Sequence, residues 1–204
     1  MSDHYFSAEP TSPERRRSLS VELAGQRVEV QTAGGTFSPD RVDIGTGVLL
    51  HEAPPPPPTG TFLDLGCGWG PIALSLALLA PAALVYAVDV NERSLRLTRD
   101  NATTLGVGDR VTAATPEAVP TDVVFDLIWS NPPIRVGKDV LHEMLEGWLP
   151  RLTPGGAAHL VVQKNLGSDS LQRWIRSHEG TLAGLECERV AHARGFRVLE
   201  VRWR

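Results

Sequence analysis

Leu63-Asp64-Leu65-Gly66-Cys67-Gly68-Trp69-Gly70-Pro71 decides the fold of this 204-residue chain. Apolar, strand-like residues enter a glycine turn, and the apolar, helix-like stretch Pro71–Leu79 follows, with Pro71 tolerated in its first turn. Glycines at such a corner let the backbone turn tightly and approach a ligand closely. The helix start beside it offers N–H groups to a carboxylate or phosphate. A dinucleotide site carries G-x-G-x-x-G, whereas the spacing here is G-x-G-x-G, with Pro71 directly after Gly70. Asp64 stands two residues before the first glycine, where a pyrophosphate would be repelled and an ammonium welcomed. A zwitterionic, amino-acid-bearing ligand is favoured over a dinucleotide.

Outward from this loop the chain alternates strands and helices. Strands are expected at residues 61–65, 83–88, 111–114, 123–129 and 157–163, separated by helices at 71–79, 92–105 and 139–149. The strand at 83–88 is wholly apolar, as in a parallel sheet covered on both faces. Pro154-Gly155-Gly156 reads as a helix stop. Leu171, Trp174, Ile175 and His178 line one face of a further helix. Two last strands, about 181–191 and 196–203, meet through Arg194-Gly195, too short for a crossover helix, so they must be antiparallel. Before the loop, residues 19–32 read as a small hairpin and 42–52 as a short helix. Pro54 to Pro58 form an extended connector. The fold class is α/β, a mostly parallel sheet closed by an antiparallel hairpin.

Asp89 ends the second of the parallel strands, where an acid accepts hydrogen bonds from paired ribose hydroxyls. Loop, Asp64 and Asp89 together call for a ligand with a ribose, an ammonium and a carboxylate. S-adenosylmethionine has all three. At the end of the fourth strand stand Ser130-Asn131-Pro132-Pro133-Ile134, beside the glycine loop. Two prolines fix the chain and remove two N–H donors. Asn131 offers an amide oxygen and Pro132 a bare carbonyl, acceptors for the two hydrogens of an exocyclic amine. Holding those hydrogens turns the nitrogen lone pair towards an incoming methyl group, so catalysis is orientation and polarisation.

DLGCGWGP (64–71), AVDVNERS (87–94) and SNPPIRVGK (130–138) resemble the methyltransferase small domain family, as do FSPDRVDIGTGVLL (37–50) and GFRVLEV (195–201). The resemblance covers nearly the whole chain. It implies the Rossmann-like, seven-stranded class I methyltransferase fold with S-adenosylmethionine as cofactor. It also implies that the segment carrying Asp64, Gly66, Cys67, Gly68 and Gly70 binds the methionine end. Asp89 then takes the ribose, Val90 packs on the adenine, and Asp43 and Thr46 belong to a segment closing over the cofactor. Asn131, which also belongs to the cofactor-binding set, and Pro132 would engage the target amine, with Pro133 and Ile134 completing the catalytic corner and Phe37 supplying an apolar face. Where the family often has a Ser-Asp pair for the adenine, this chain has Ala113-Ala114, leaving backbone groups or Thr115. The domain plan is a 1–53 extension (arm, hairpin, cofactor-covering segment), a 54–60 linker and a 61–204 methyltransferase domain. The best-known members of the family methylate guanine N2 in small-subunit ribosomal RNA, and Ile134-Arg135 resembles that branch.

Composition narrows the alternatives. Twenty Lys and Arg against 24 Asp and Glu exclude a wholly polybasic nucleic-acid binder. The charge is uneven: residues 1–60 carry −3, 61–133 carry −4 and 134–204 carry +3. Arg135, Lys138, Lys164, Arg194 and Arg197 are therefore the candidates for an RNA-facing lip. The run Arg15-Arg16-Arg17 reads as a solvated arm, with RNA contact as the rival reading. Two cysteines 120 positions apart make neither a disulfide framework nor a zinc site, and no metal is expected. Cys67 reads as a packing residue. The start of the chain has no secretory h-region, so a cytoplasmic protein without a membrane partner is expected. A protein glutamine or a small-molecule amine is the rival substrate. A non-catalytic RNA-binding factor and a nicotinamide oxidoreductase are the rival functions, the last opposed by Pro71.

Overall fold

The computed structural model describes residues 13–204, apart from the side chain of Arg135. Most of the expected N-terminal arm lies outside them. The chain opens with β1 (Arg16–Leu23) and β2 (Gln26–Ala33), an antiparallel pair. Ala24 and Gly25 both take positive φ, the two-residue turn whose twist matches a hairpin. The arginine run is not a loose arm where it enters β1. Arg16 pairs with Glu14 and Asp100, and Arg17 with Asp40.

Helix α1 (Ile44–Glu52) follows, then β3 (Thr59–Leu65), α2 (Pro71–Leu79), β4 (Ala82–Val88), α3 (Glu92–Thr104), β5 (Val111–Ala114) and β6 (Phe125–Ser130). The chain closes with α4 (Lys138–Trp148), β7 (Leu152–Gln163), α5 (Ser168–Ser177), β8 (Leu185–Ala193) and β9 (Phe196–Trp203). Seven strands form one sheet in the order β5-β4-β3-β6-β7-β9-β8. β3, β4, β5, β6 and β7 are parallel, while β9 runs antiparallel to both β7 and β8. The order reverses between β3 and β6, and in open α/β sheets ligands bind at that crevice. The glycine loop leaves β3 there, and Asn131 leaves β6 beside it.

β3 shows how the two faces are filled. Phe62 points into a cluster with Ile72, Leu74, Val85 and Trp129, while Leu63 and Leu65 point into a second cluster with Ile128, Leu145 and Leu199. This is the period of two expected of a strand covered on both faces. Removing one such fully buried leucine side chain costs about 2–5 kcal/mol. Leu23, Val30 and Ala33 of the hairpin and Val48 and Leu49 of α1 belong to the first cluster. The N-terminal elements therefore share one core with the sheet.

Two expectations about elements are corrected. Pro154-Gly155-Gly156 lies inside β7, where the pairing with β6 shifts between Phe125 and Leu127. The chain bulges there, and a Cβ on Gly156 would meet the Phe125 carbonyl at 3.0 Å. The last strand pair starts later than expected, at Leu185, because Gly184 takes φ +92° and breaks extension. Among the described residues, no helix is long and apolar enough to cross a membrane.

Candidate active site

The glycine loop is held from below. Gly66, Gly68 and Gly70 all take positive φ, at +83°, +56° and +98°. The amides of Gly66 and Cys67 donate to the Val88 carbonyl at 2.8 and 3.0 Å. The Gly68 amide donates to Asp89 Oδ2 at 2.8 Å, and Asn91 donates to the other oxygen at 2.9 Å. Asp89 thus locks the loop, yet each oxygen keeps a lone pair for a further donor. Its carboxyl is pushed up by burial and drawn partly back by these amides.

Asp64 is completely buried. Its Oδ2 accepts from the Ala73 amide at 2.9 Å, while Oδ1 has no partner among the described residues. The start of α2 is consequently less open to an anion than the sequence suggests: Pro71 has no N–H and the Ala73 amide is taken. Burial pushes the Asp64 carboxyl up to about 8, and the nearby charge of Asp89 adds to the rise. A buried acid raised by burial and by a second acid beside it suits a cationic ligand.

Cys67 is fully buried, its Sγ 3.7 Å from Thr98 Oγ1, and burial drives its thiol far above the usual range. It packs and does not react. Trp69 is buried too, its indole donating to the Ser38 carbonyl at 3.2 Å.

The Asn-Pro-Pro-Ile corner is an inverse γ-turn. Pro133 has φ −75° and ψ 73°, and the Ile134 amide donates to the Pro132 carbonyl at 2.8 Å. That carbonyl is therefore not bare, as the sequence suggested. It retains one lone pair. The Asn131 side chain donates through Nδ2 to Asp43 Oδ2 at 2.9 Å and to Thr46 Oγ1 at 3.1 Å. Both amide hydrogens are committed, so Oδ1 is the end left to accept.

These residues surround a cavity of about 850 Å³. Phe37, Asp43, Gly66, Asp89, Val90, Asn131, Pro132, Pro133 and Ile134 all line it. Thr46, Cys67 and Gly68 border an adjoining recess together with Phe37, Asp43 and Asn131. Val90 is exposed, presenting an apolar face. Beyond Ala113-Ala114 it is Pro116, not Thr115, that reaches the cavity wall.

The sequence did not single out Glu143, Met144, Gln163 or Phe196, which line the far side. Gln163 and Phe196 face each other across β7 and β9. The signal for Phe196 was an aromatic directly after the Arg194-Gly195 turn.

The proposed basic lip divides. Lys138, Lys164 and Arg194 are exposed, and the Lys164 amide donates to the Gly195 carbonyl at 2.8 Å, joining that turn to the end of β7. Arg197 is occupied instead: it pairs with Asp169 and donates to Ser168 Oγ at 3.2 Å, pinning the start of α5. Among the described residues no group of three or more His, Cys, Asp or Glu could hold a metal.

S-adenosylmethionine fits this donor set. Asp89 and the face of Val90, both on the cavity wall, would suit its ribose and its adenine, and the orphaned Asp64 oxygen would suit its ammonium, although Asp64, like Gly70, lines neither the cavity nor the recess. The methyltransferase small domain model matches residues 27–200. The Bacillus subtilis (strain 168) protein YbxB is 34% identical over 172 residues, covering 83% of this chain and 86% of its own. The ribosomal RNA small subunit methyltransferase C of Pseudomonas aeruginosa (strain LESB58) is 30% identical over 200 residues, 96% of this chain and 57% of that protein. Among solved structures, the T. thermophilus 16S rRNA N2 methyltransferase RsmC, in complex with AdoMet and guanosine, superposes with a TM-score of 0.77 at 25% identity. The superposition covers 96% of this chain and 52% of that one, so this chain spans little more than half of each rRNA enzyme. A glycine loop backed by the buried Asp64 and the half-buried Asp89, with a proline-fixed amide corner beside it, thus sits in a chain that belongs to the methyltransferase small domain family of S-adenosylmethionine-dependent enzymes.

Proposed function

We propose that the chain methylates the exocyclic N2 amine of a guanine in small-subunit ribosomal RNA. The observation that carries this reading is the commitment of both Asn131 amide hydrogens to Asp43 and Thr46. It leaves Asn131 Oδ1, with the spare lone pair of the Pro132 carbonyl, as two acceptors on a rigid corner. Two acceptors match the two hydrogens of a planar amine.

Bound S-adenosylmethionine supplies an electrophilic methyl group on its sulfonium sulfur. The corner's task is to hold the amine hydrogens so that the nitrogen lone pair leaves the ring and faces that methyl. When bound, the cofactor would give its methyl group to the amine nitrogen and keep the electrons of the broken carbon–sulfur bond, while the amine would release one proton to water. No strong base is required, because the methyl donor is already activated. The target base must be exposed or flipped to enter the cavity. Phe37 and Ile134 supply apolar walls for it. Lys138, Lys164 and Arg194, all exposed, are the candidates to meet phosphates, with Arg135 next to the corner in sequence.

The rRNA substrate is supported by what the P. aeruginosa and T. thermophilus relatives are called, and an enzyme with such a substrate would work in the cytoplasm. Incubation with methyl-labelled cofactor and stripped ribosomal subunits from a strain lacking the gene tests the proposal. N2-methylguanosine in the digested small-subunit RNA is expected. Label confined to protein would shift the assignment to a glutamine amide, and no label in either fraction would remove it.

A further inference from the structure

Asp43 has a job at this site that cofactor covering does not describe. A single oxygen, Oδ2, accepts from the Gly45 amide at 2.8 Å, the Thr46 amide at 3.3 Å and Asn131 Nδ2 at 2.9 Å. The space over that oxygen is tight. A Cβ on Gly45 would come within 3.0 Å of it and within 2.9 Å of Phe196 Cε1.

An ionised carboxylate can only accept. Asparagine can present either end, so Asp43 decides which end of Asn131 it faces. A reversed amide would set oxygen against carboxylate and strand both. Thr46 could not decide this alone, since a hydroxyl donates or accepts. Buried at 3% exposure, it takes up the second amide hydrogen. The charge on Asp43 also pulls on the amide nitrogen, which enriches Oδ1 and makes it a stronger acceptor.

We propose that Asp43 and Thr46 are positioning residues for Asn131, holding its amide by the nitrogen so that its carbonyl is aimed at the substrate amine. This rests on the reading of Asn131 given above. Asp43 acts through Asn131 and touches no reacting atom. Its charge reaches the amine through the amide.

The test combines three variants with a readout that needs no substrate. Asp43→Ser keeps a helix cap for the Gly45 and Thr46 amides but is too short to reach Asn131. Asp43→Asn keeps the acceptor and loses the charge. Thr46→Val removes the second acceptor at constant shape, and serves if Asp43→Ser does not fold. In ¹⁵N-labelled protein, exchange of the Asn131 side-chain NH₂ should be slow in the wild type and in Asp43→Asn. It should accelerate about 10-fold or more in Asp43→Ser, where one hydrogen bond to a charged group is lost.

With guanine-containing RNA, kcat should fall by about 100-fold in Asp43→Ser through misplacement of the reacting groups. Asp43→Asn should lie between this variant and wild type, and the dissociation constant for S-adenosylmethionine should stay within about threefold. Unchanged NH₂ exchange in both Asp43→Ser and Thr46→Val would overturn the assignment, as would Asp43→Asn turning over as poorly as Asp43→Ser. If the wild type methylates no guanine, the substrate reading fails alone, and the exchange measurement still decides the role of Asp43.

Discussion

Asp64 and Ala73 are joined by a 2.9 Å hydrogen bond that leaves the second Asp64 oxygen buried and unpartnered. The carboxyl is pushed up to about 8, far above the unfolded value near 3.8. A group raised in this way contributes stability below its unfolded value and loses it as pH climbs to the folded one. Cofactor-free protein should therefore lose stability between about pH 4 and pH 8 through this residue. Asp64→Asn keeps the Ala73 bond and removes the buried charge. It should raise the Tm of cofactor-free protein at pH 8 while weakening S-adenosylmethionine binding by about 10-fold or more, the loss of one charged hydrogen bond. Thermal melts and titration calorimetry read the two opposite effects.

Asn131→Ala should lower kcat by about 100- to 1,000-fold, the range for deleting one preorganised polar group that acts in the transition state. Cofactor affinity should be nearly unchanged, since Asp64 and Asp89 remain. Single-turnover rates and equilibrium dialysis separate the two quantities, and a matching loss of affinity would contradict the assigned role.

The buried His159 ring accepts from the Trp129 indole at Nδ1, 3.0 Å away, and so donates through Nε2 to Glu200 at 2.9 Å. Burial lowers the affinity of the ring for a second proton, and Arg202 and His159 hold Glu200 below its usual range. Both groups contribute stability at neutral pH. The His159 contribution declines as pH falls below about 6.5, and the Glu200 contribution at lower pH still. His159→Phe should cost about 1–3 kcal/mol by stranding the Trp129 and Glu200 partners, and should flatten the acid limb of urea-denaturation midpoints against pH.

Lys164→Ala and Arg194→Ala should each reduce the slope of log binding constant against log salt for RNA by about one. Arg197→Ala should leave that slope alone. Its effect should be a stability loss of up to about 1 kcal/mol, because its partner Asp169 is largely exposed. Filter binding across a salt series, paired with denaturation curves, distinguishes a phosphate contact from a strut.

The helices and parallel strands were legible because their signals are local: β5 and α2 fall at the expected residues, and most other ends differ by one to three. The loop, Asp89 and Asn131 were legible because each sits at a strand's C-terminal end, where the fold itself concentrates ligand contacts. What escaped was pairing between distant elements. Asp43 and Asn131 are 88 positions apart. Arg197 looked like a free cation because Asp169, on another element, leaves no trace in its neighbourhood. The Pro154-Gly155-Gly156 error has the same origin: the proline and two glycines that signal a stop also signal a bulge, and only β6 alongside selects between them.

The proline run gains meaning from where α1 lies. That helix packs over β7 and β9, although the next element in the chain is β3, with β6 in between. Ala53 closes α1 with φ −69° and ψ 149°, and a residue preceding proline is held in this extended region, as is each proline up to Pro57. Five prolines at about 3.1 Å each make a strut of roughly 15 Å. A strut of set length is a ruler. It measures the offset between the anchored strand β3 and the helix whose first turn holds Asn131, so the aim of the reacting corner depends on residues that touch neither ligand. Glycines in their place would leave every wall of the cavity intact and blur its alignment.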